Sequence, residues 1–256
     1  MAGRDGRDEQ QLNPQGGRVR PSAPAPSDAC GIVPAMATME RRSWDRYSPL
    51  AGVGAVILWV IGVVISESGD APRDDESAQG VLNYFTQDES QIMAGEITFA
   101  VGVLFFIWFL GSLRTALFSH EGTGHYTALA YGSGLLASVA MLIGAAVLIQ
   151  PSFLDDGDLS AEAAQALAQV SDAMFGVVEL TLVVTLLATA IVILRTRALP
   201  RWLGWASLAL AVLLLIIPIG WIGVIFGVPL WTLATSVLLF MRQPGTAEAA
   251  PGPTRV

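Results

Sequence analysis

The chain has 256 residues, 53% of them apolar and only 14% charged, with a mean hydropathy of +0.55. Soluble domains carry about a quarter charged residues, so this composition is not that of one. The net charge of −8 argues against nucleic acid as a partner, and a single cysteine, Cys30, excludes an internal disulfide and a structural thiolate zinc site.

Residues 1–48 are polar and rich in Gly, Pro, Gln and Arg, as in Pro21-Ser22-Ala23-Pro24-Ala25-Pro26. Such a stretch cannot bury enough apolar area to offset its ordering entropy, and it reads as a disordered cytoplasmic tail. It has no apolar run near its start and is not a secretory signal. Met36 and Met39 lie just before Glu40-Arg41-Arg42-Ser43-Trp44. We therefore expect translation to start at one of them; an intact mass ending in Met1 or Ala2 would refute this.

A membrane domain follows over 49–241. Its first four apolar segments run over about 49–66, 92–113, 127–149 and 173–194. Residues 202–241 then form 40 positions without an ionisable group. At ~1.5 Å per residue this is roughly 60 Å, twice the ~30 Å hydrocarbon core. Pro218, Gly220, Gly223, Gly227 and Pro229 sit in its middle, where helix breakers turn a hairpin. The stretch is read as a fifth and a sixth helix, although one long broken segment, giving five spans, fits the same residues. A polar tail, 242–256, ends the chain.

The loops orient the segments. Arg41, Arg42 and Arg46 precede the first, Arg114 follows the second, Arg195, Arg197 and Arg201 separate the fourth and fifth, and Arg242 follows the sixth. The alternate loops, 67–91 and 150–172, are acidic. Arginine on every second side places both termini inside. The fold expected is thus an all-α, polytopic bundle of six transmembrane helices in the cytoplasmic (inner) cell membrane.

Each outer loop carries a short helix signal. Asp75 or Ser77 is placed to cap a helix through Phe85, and Asp158 or Ser160 one through Val170. Val81, Leu82, Tyr84 and Phe85 would lay the first on the membrane surface or on the bundle. A faint repeat accompanies this pattern. A helix, an acidic loop and a helix with one Glu occur twice, ending at Leu113-Arg114-Thr115 and Leu194-Arg195-Thr196.

Glu96 and Glu179 are the carboxylates inside apolar segments, and an intramembrane ionisable group is by default a functional candidate. They lie 18 and 16 residues from Arg114 and Arg195. At ~1.5 Å per residue these are roughly 27 and 24 Å, near the outer rim of a ~30 Å core. Contact with water accounts for carboxylates at that depth; the sharper reading is one shared, outward-facing polar site.

Gly132, Gly134, Ser138, Ala140 and Gly144 recur along the third segment. Small residues at such spacings let helices approach closely, which would make this segment central to the bundle or the seam of a homo-oligomer. Trp44, Tyr47, Trp202 and Trp205 fall near the inner interface and Trp221 near the outer, as belt anchors do.

Other motifs dissolve on inspection. His120-Glu121-Gly122-Thr123-Gly124-His125 has its histidines five apart with glycines between. A zinc protease needs them four apart on one continuous helix, so a polar connector is the simpler reading. Arg41-Arg42 before an apolar run has the look of an export signal, but positive-inside anchoring explains it. Ala29-Cys30-Gly31 lacks the apolar run that precedes a lipoprotein cleavage site. No histidine lies inside a span, so Ser133 has no base and haem no ligand there. No phosphate-binding glycine loop is present for an energy-coupled pump. We expect no catalysis, cofactor or metal.

Tyr47-Ser48-Pro49-Leu50-Ala51-Gly52, Phe105-Phe106-Ile107-Trp108-Phe109-Leu110-Gly111, Leu199-Pro200-Arg201-Trp202-Leu203-Gly204-Trp205 and Pro229-Leu230-Trp231 carry a resemblance. Over about 40–242 the chain resembles an uncharacterised family of bacterial multi-spanning membrane proteins, a domain of unknown function. The resemblance implies a membrane bundle and no particular activity or functional residue. The expected role is that of a non-enzymatic membrane protein packing with lipid, a protein partner or itself. The alternative is a small-solute or ion transporter using Glu96 and Glu179 in an outward-facing vestibule.

Overall fold

The computed structural model describes residues 47–66, 77–154, 159–216 and 219–242. The amino-terminal tail with Cys30, Met36, Met39 and the Arg41-Arg42 pair lies outside the described residues, as do Arg46, the acidic residues of 67–76 and 155–158, Pro218 and the tail beyond Arg242.

Every regular element among the described residues is helical. A 3-10 turn, Ser48–Leu50, leads into α1, Ala51–Ser66. Then come α2, Ala78–Gln87; α3, Glu89–Glu121; and α4, His125–Ile149, which runs on into the turn Gln150–Phe153. They are followed by α5, Ala161–Thr196; α6, Arg201–Leu214; and α7, Gly220–Arg242, which contains a π-helical stretch at Gly223–Gly227. Five of these (α1 with its leading turn, α3, α4, α5 and α7) are long and apolar enough to cross a membrane. The protein is a polytopic helical bundle.

Three boundaries differ from the sequence reading, each for a local reason. The short outer helix expected through Val170 does not stand alone but is the start of α5, 36 residues long. Residues 161–172 hold Ala, Glu and Gln with neither Gly nor Pro, so nothing ends the helix before the apolar stretch begins. Likewise α3 runs two turns past Thr115 to Glu121, so the two Leu-Arg-Thr triplets do not mark matching helix ends. Only the second does: α5 stops at Thr196, where Arg197 takes φ 58° and returns its N–H to Ile193 O at 2.9 Å. The third difference is α6. Its 14 residues make ~21 Å, short of a ~30 Å hydrocarbon core.

In chain order, α1, α3, α4, α5, α6 and α7 each pack against the next, and α7 returns to α1, closing a ring. Within it are three hairpins, each joined by a side-chain hydrogen bond. Ser48 Oγ meets Ser112 Oγ at 2.6 Å and accepts from Trp108 Nε1 at 3.0 Å, joining α1 to α3. Ser133 Oγ and Thr185 Oγ1, 2.8 Å apart, join α4 to α5. Trp231 Nε1 donates to Ser207 Oγ at 2.8 Å between α7 and α6. Gly223 lies on Leu214, Gly227 on Leu210, and Arg242 Nη1 donates to Ala198 O at 2.6 Å. These pairs step along α6 and α7 in opposite senses, so the two helices run antiparallel.

Packing is closest between α1 and α3. A β-carbon on Gly62 would fall 2.8 Å from Gly95 O, and one on Gly95 would fall 2.7 Å from Gly62 O. The two backbones touch there, which only glycine permits. Aromatic rings then run through the core, Trp59 on Phe106 at 5.1 Å, Phe106 on Phe109 at 5.8 Å and Phe109 on Trp231 at 6.2 Å, tying α1, α3 and α7 together.

At the opposite end from the arginines, α2 lies on the bundle. Its Val81 and Phe85 bury against Ile92 and Ala164, and Tyr84 Oη donates to Ser66 O at 3.1 Å. Ser77 and Ser160 are the caps of α2 and α5, accepting from Gly80 N and Ala163 N at 3.2 Å each.

Candidate functional site

Glu179 is half-buried on α5, and its Oε1 is buried without a hydrogen-bond partner among the described residues. The carboxylate faces Gly220, the first residue of α7. A β-carbon built on Gly220 would fall 1.6 Å from Glu179 Oε1 and 2.8 Å from Leu214 O, so the missing side chain makes the carboxylate's room. The amino-terminal end of a helix carries partial positive charge, which favours an anion at this place. Glu96 is half-buried on α3, beside the Gly95 contact. No hydrogen bond joins the two carboxylates.

Of the small residues on α4, Gly134, Ser138, Ala140 and Gly144 are buried. A β-carbon on Gly134 would press on Leu110 of α3 at 2.8 Å, and one on Gly144 would lie 3.7 Å from Met174 of α5. Gly132 has nothing within 4 Å of that position and faces outward.

Sequence reasoning missed the buried hydroxyls. Thr232, Thr235 and Ser236 on α7 and Thr189 on α5 are fully buried, and their hydroxyls have no partner among the described residues. Their signal was the spacing of three and four on α7 in an otherwise apolar segment. Each hydroxyl can turn to its own i−4 carbonyl, so the stripe calls for no ligand.

The rim where the arginines cluster is the most elaborated surface. Glu121, the last residue of α3, caps α4 across the Gly122-Thr123-Gly124 turn. Its carboxylate accepts from Tyr126 N and Thr127 N at 2.7 Å each and from the Thr127 hydroxyl. His120 Nδ1 stays with Ala116 O at 3.0 Å, and the His125 ring packs edge-on to Tyr126. The histidine-glutamate motif is thus spent on joining α3 to α4; among the described residues no group of three metal-ligand side chains assembles. Arg114 lies over the Tyr131 ring at 5.3 Å, and Arg195 lies over Tyr126 at 5.1 Å. Two helices thus press guanidinium groups onto tyrosines of the one between them. Beside Arg114, Leu110, Leu113 and Leu117 of α3 pack closed against Ala130 of α4, all four buried.

No family model, no curated protein and no solved structure matches this chain.

Proposed function

We propose that this is a six-span protein of the cytoplasmic membrane, both termini inside, that works without catalysis by binding what surrounds it: lipid, a protein partner or a second copy. One observation carries the reading. The described interior of the helix ring is filled by side chains, with Phe106, Phe109, Val103 and Leu117 at 0% exposure, so the surface offered to other molecules is the outer one. The antiparallel α6–α7 hairpin supports the even number of spans, since Arg242 ends beside Ala198 at the arginine-bearing side. The absence of catalysis rests on the sequence, which places no base, nucleophile or metal set inside a span. The bacterial family resemblance is compatible with this role and adds no activity to it.

Native mass spectrometry of tagged protein, extracted gently from its own membrane, tests the proposal. A reproducible additional mass of lipid, partner or second copy is expected; a bare monomer in every preparation overturns it.

Glu179 supports a second reading, transport of a proton or small cation. Its buried oxygen beside Gly220, without a partner among the described residues, is where a positive species would be held, at a break between two helices. On this reading Glu179→Gln abolishes a flux that Glu96→Gln reduces. Unchanged flux in both variants removes it.

A further inference from the structure

The notch at the break between α6 and α7 is lined by two oxygens that lack a donor. A β-carbon on Gly220 would overlap Glu179 Oε1 and lie 2.8 Å from Leu214 O, so both atoms border the same small space. Leu214 ends α6, and its carbonyl accepts no hydrogen bond from the described residues. In a continuing helix the amide four residues on would serve it, but that residue is Pro218, which has no N–H. Glu179 Oε1 is buried and likewise has no partner among the described residues. Two amides of the same turn are spent elsewhere, Gly220 N on Ile216 O at 2.9 Å and Ile222 N on Ile219 O at 3.1 Å. The start of α7 thus lends the carboxyl its field without these bonds.

Nor do the described residues bring a cation to the notch. Between Arg201 and Arg242 no described position of α6 or α7 is ionisable, and α4 has no ionisable residue after Tyr131. Tyr84 of α2 donates to Ser66 O, and α3 brings Asp88, Glu89 and Glu96, which would repel a negative charge. On α5 the neighbours along the helix are Asp172, seven residues before, and Arg195, sixteen after.

Two acceptors facing one enclosed space repel each other, and each is left without the hydrogen bond it had in water. A proton relieves both. It cancels the charge of the carboxylate, and the O–H it makes is a donor for the carbonyl. We propose that Glu179 holds a proton in this notch, its carboxyl O–H donating to Leu214 O. A hard metal cation fits worse, since it gathers about six oxygen ligands or more and the described walls supply two. The inference rests on the transport reading above and narrows its proton or small cation to the proton. On loading, the carboxylate takes one proton from water. On release the O–H bond breaks, the electron pair stays on the carboxylate and the proton returns to water. Glu179 is half-buried, so rotation about its side-chain bonds carries the carboxyl between the notch and the surface.

The test is infrared difference spectroscopy of the full chain in lipid nanodiscs at neutral pH, where a water-exposed glutamate is ionised. Wild type should show the carbonyl band of a protonated carboxylic acid. Glu179→Gln should remove a component of that band, and Glu96→Gln should retain the same component. Gly220→Ala should also remove it although the glutamate is still present, because the added carbon takes the notch. Adding sodium or potassium to wild type at fixed pH should change nothing, and this arm stands even if Gly220→Ala does not fold.

Absence of a component that depends on Glu179 overturns the proposal. So does its loss on adding sodium or potassium, which would give the site to a metal cation. Its persistence in folded Gly220→Ala overturns it too, since the proton would then be held without the notch. A Glu179-dependent band in protein that moves no protons across vesicles supports this site and defeats the transport reading. A Glu179-dependent sodium flux without the band does the reverse.

Discussion

The Arg195 guanidinium lies 5.1 Å from the centre of the Tyr126 ring, so the last turn of α5 is fastened to the first turn of α4 by a cation on an aromatic face. The contact joins ends that the chain reaches from opposite directions, and it sits beside the Glu121 cap of the same α4 turn. At an exposed site such a pair contributes about 0.5–1 kcal/mol. Tyr126→Phe, which keeps the ring face, should leave the thermal midpoint in detergent unchanged. Tyr126→Leu should lower it by a few degrees. Equal midpoints for the two variants would show that the ring face is not what holds Arg195.

The Glu121 cap should matter more than its half-buried position at a helix end suggests. It satisfies two amides at the start of α4 that the helix itself cannot, Tyr126 N and Thr127 N. Losing a side-chain cap costs about 0.5–2 kcal/mol. Glu121→Ala should therefore destabilise the fold by about 1 kcal/mol. Glu121→Gln, which keeps an acceptor oxygen, should recover part of that. Hydrogen exchange localises the effect: the first turn of α4 should lose protection while Ser133–Thr185 at mid-helix does not. Faster exchange at mid-helix as well would mean that Glu121 holds the whole hairpin.

The Gly62–Gly95 contact yields the largest expected stability change. A β-carbon on either residue meets backbone atoms of the other helix, which cannot rotate away. Overpacking of this kind costs about 1–3 kcal/mol. Ala in place of Gly would otherwise favour a helix by up to about 1 kcal/mol. Crowding wins, so Gly95→Ala should lower resistance to denaturation. Gly132→Ala, with nothing within 4 Å, should leave it unchanged or raise it slightly. The opposite ranking would mean that α1 and α3 are not in backbone contact.

These glycines show what could be read from residues alone. The approximate place of the apolar segments was legible because hydropathy acts locally, and so were the caps Ser77 and Ser160, whose partners lie three residues away. Small residues on α4 were legible as a pattern, but not which of them face a neighbour: Gly134 is pressed on Leu110 while Gly132 points outward. Gly62 and Gly95 were passed over, since each is one glycine in an apolar run and only their meeting gives them meaning. The places of Glu96 and Glu179 along their helices followed from residue counting. That Glu179 would lie against Gly220 did not, because the partner sits across a hairpin whose geometry the sequence leaves open. Merging of the outer helix into α5 was missed because an expected loop outweighed the plain helix propensity of 161–172.

Topology can be read directly by single-cysteine labelling. With Cys30→Ser as background, Thr86→Cys on α2 should react with a membrane-impermeant maleimide in intact cells. Ser119→Cys near the end of α3 and Gln243→Cys after α7 should react only once the membrane is permeabilised. Labelling of Gln243→Cys from outside would leave five spans and place α6 on or partly within the inner face rather than through it.

The Glu179–Gly220 contact makes a prediction that separates a structural role from a functional one. In Gly220→Ala the added carbon and the carboxylate claim the same space, because the built position lies 1.6 Å from Glu179 Oε1. A glutamate side chain is flexible, so its carboxylate should swing outward and the helix break should persist, at a cost of about 1–3 kcal/mol for the displaced packing. Glu179→Ala removes the carboxylate but leaves Leu214 O 2.8 Å from the added carbon, so Gly220→Ala made in that background should cost clearly less than it does in the wild type without becoming neutral. The two single effects should therefore fail to add, with a coupling of about 1 kcal/mol or more. Additive effects would mean that the carboxylate spends little time against Gly220 and that its oxygen is ordinarily in water. Strong coupling would fix Glu179 in the notch, where flux measured in the Gly220→Ala variant then asks whether the position of the carboxylate, rather than its presence, is what matters.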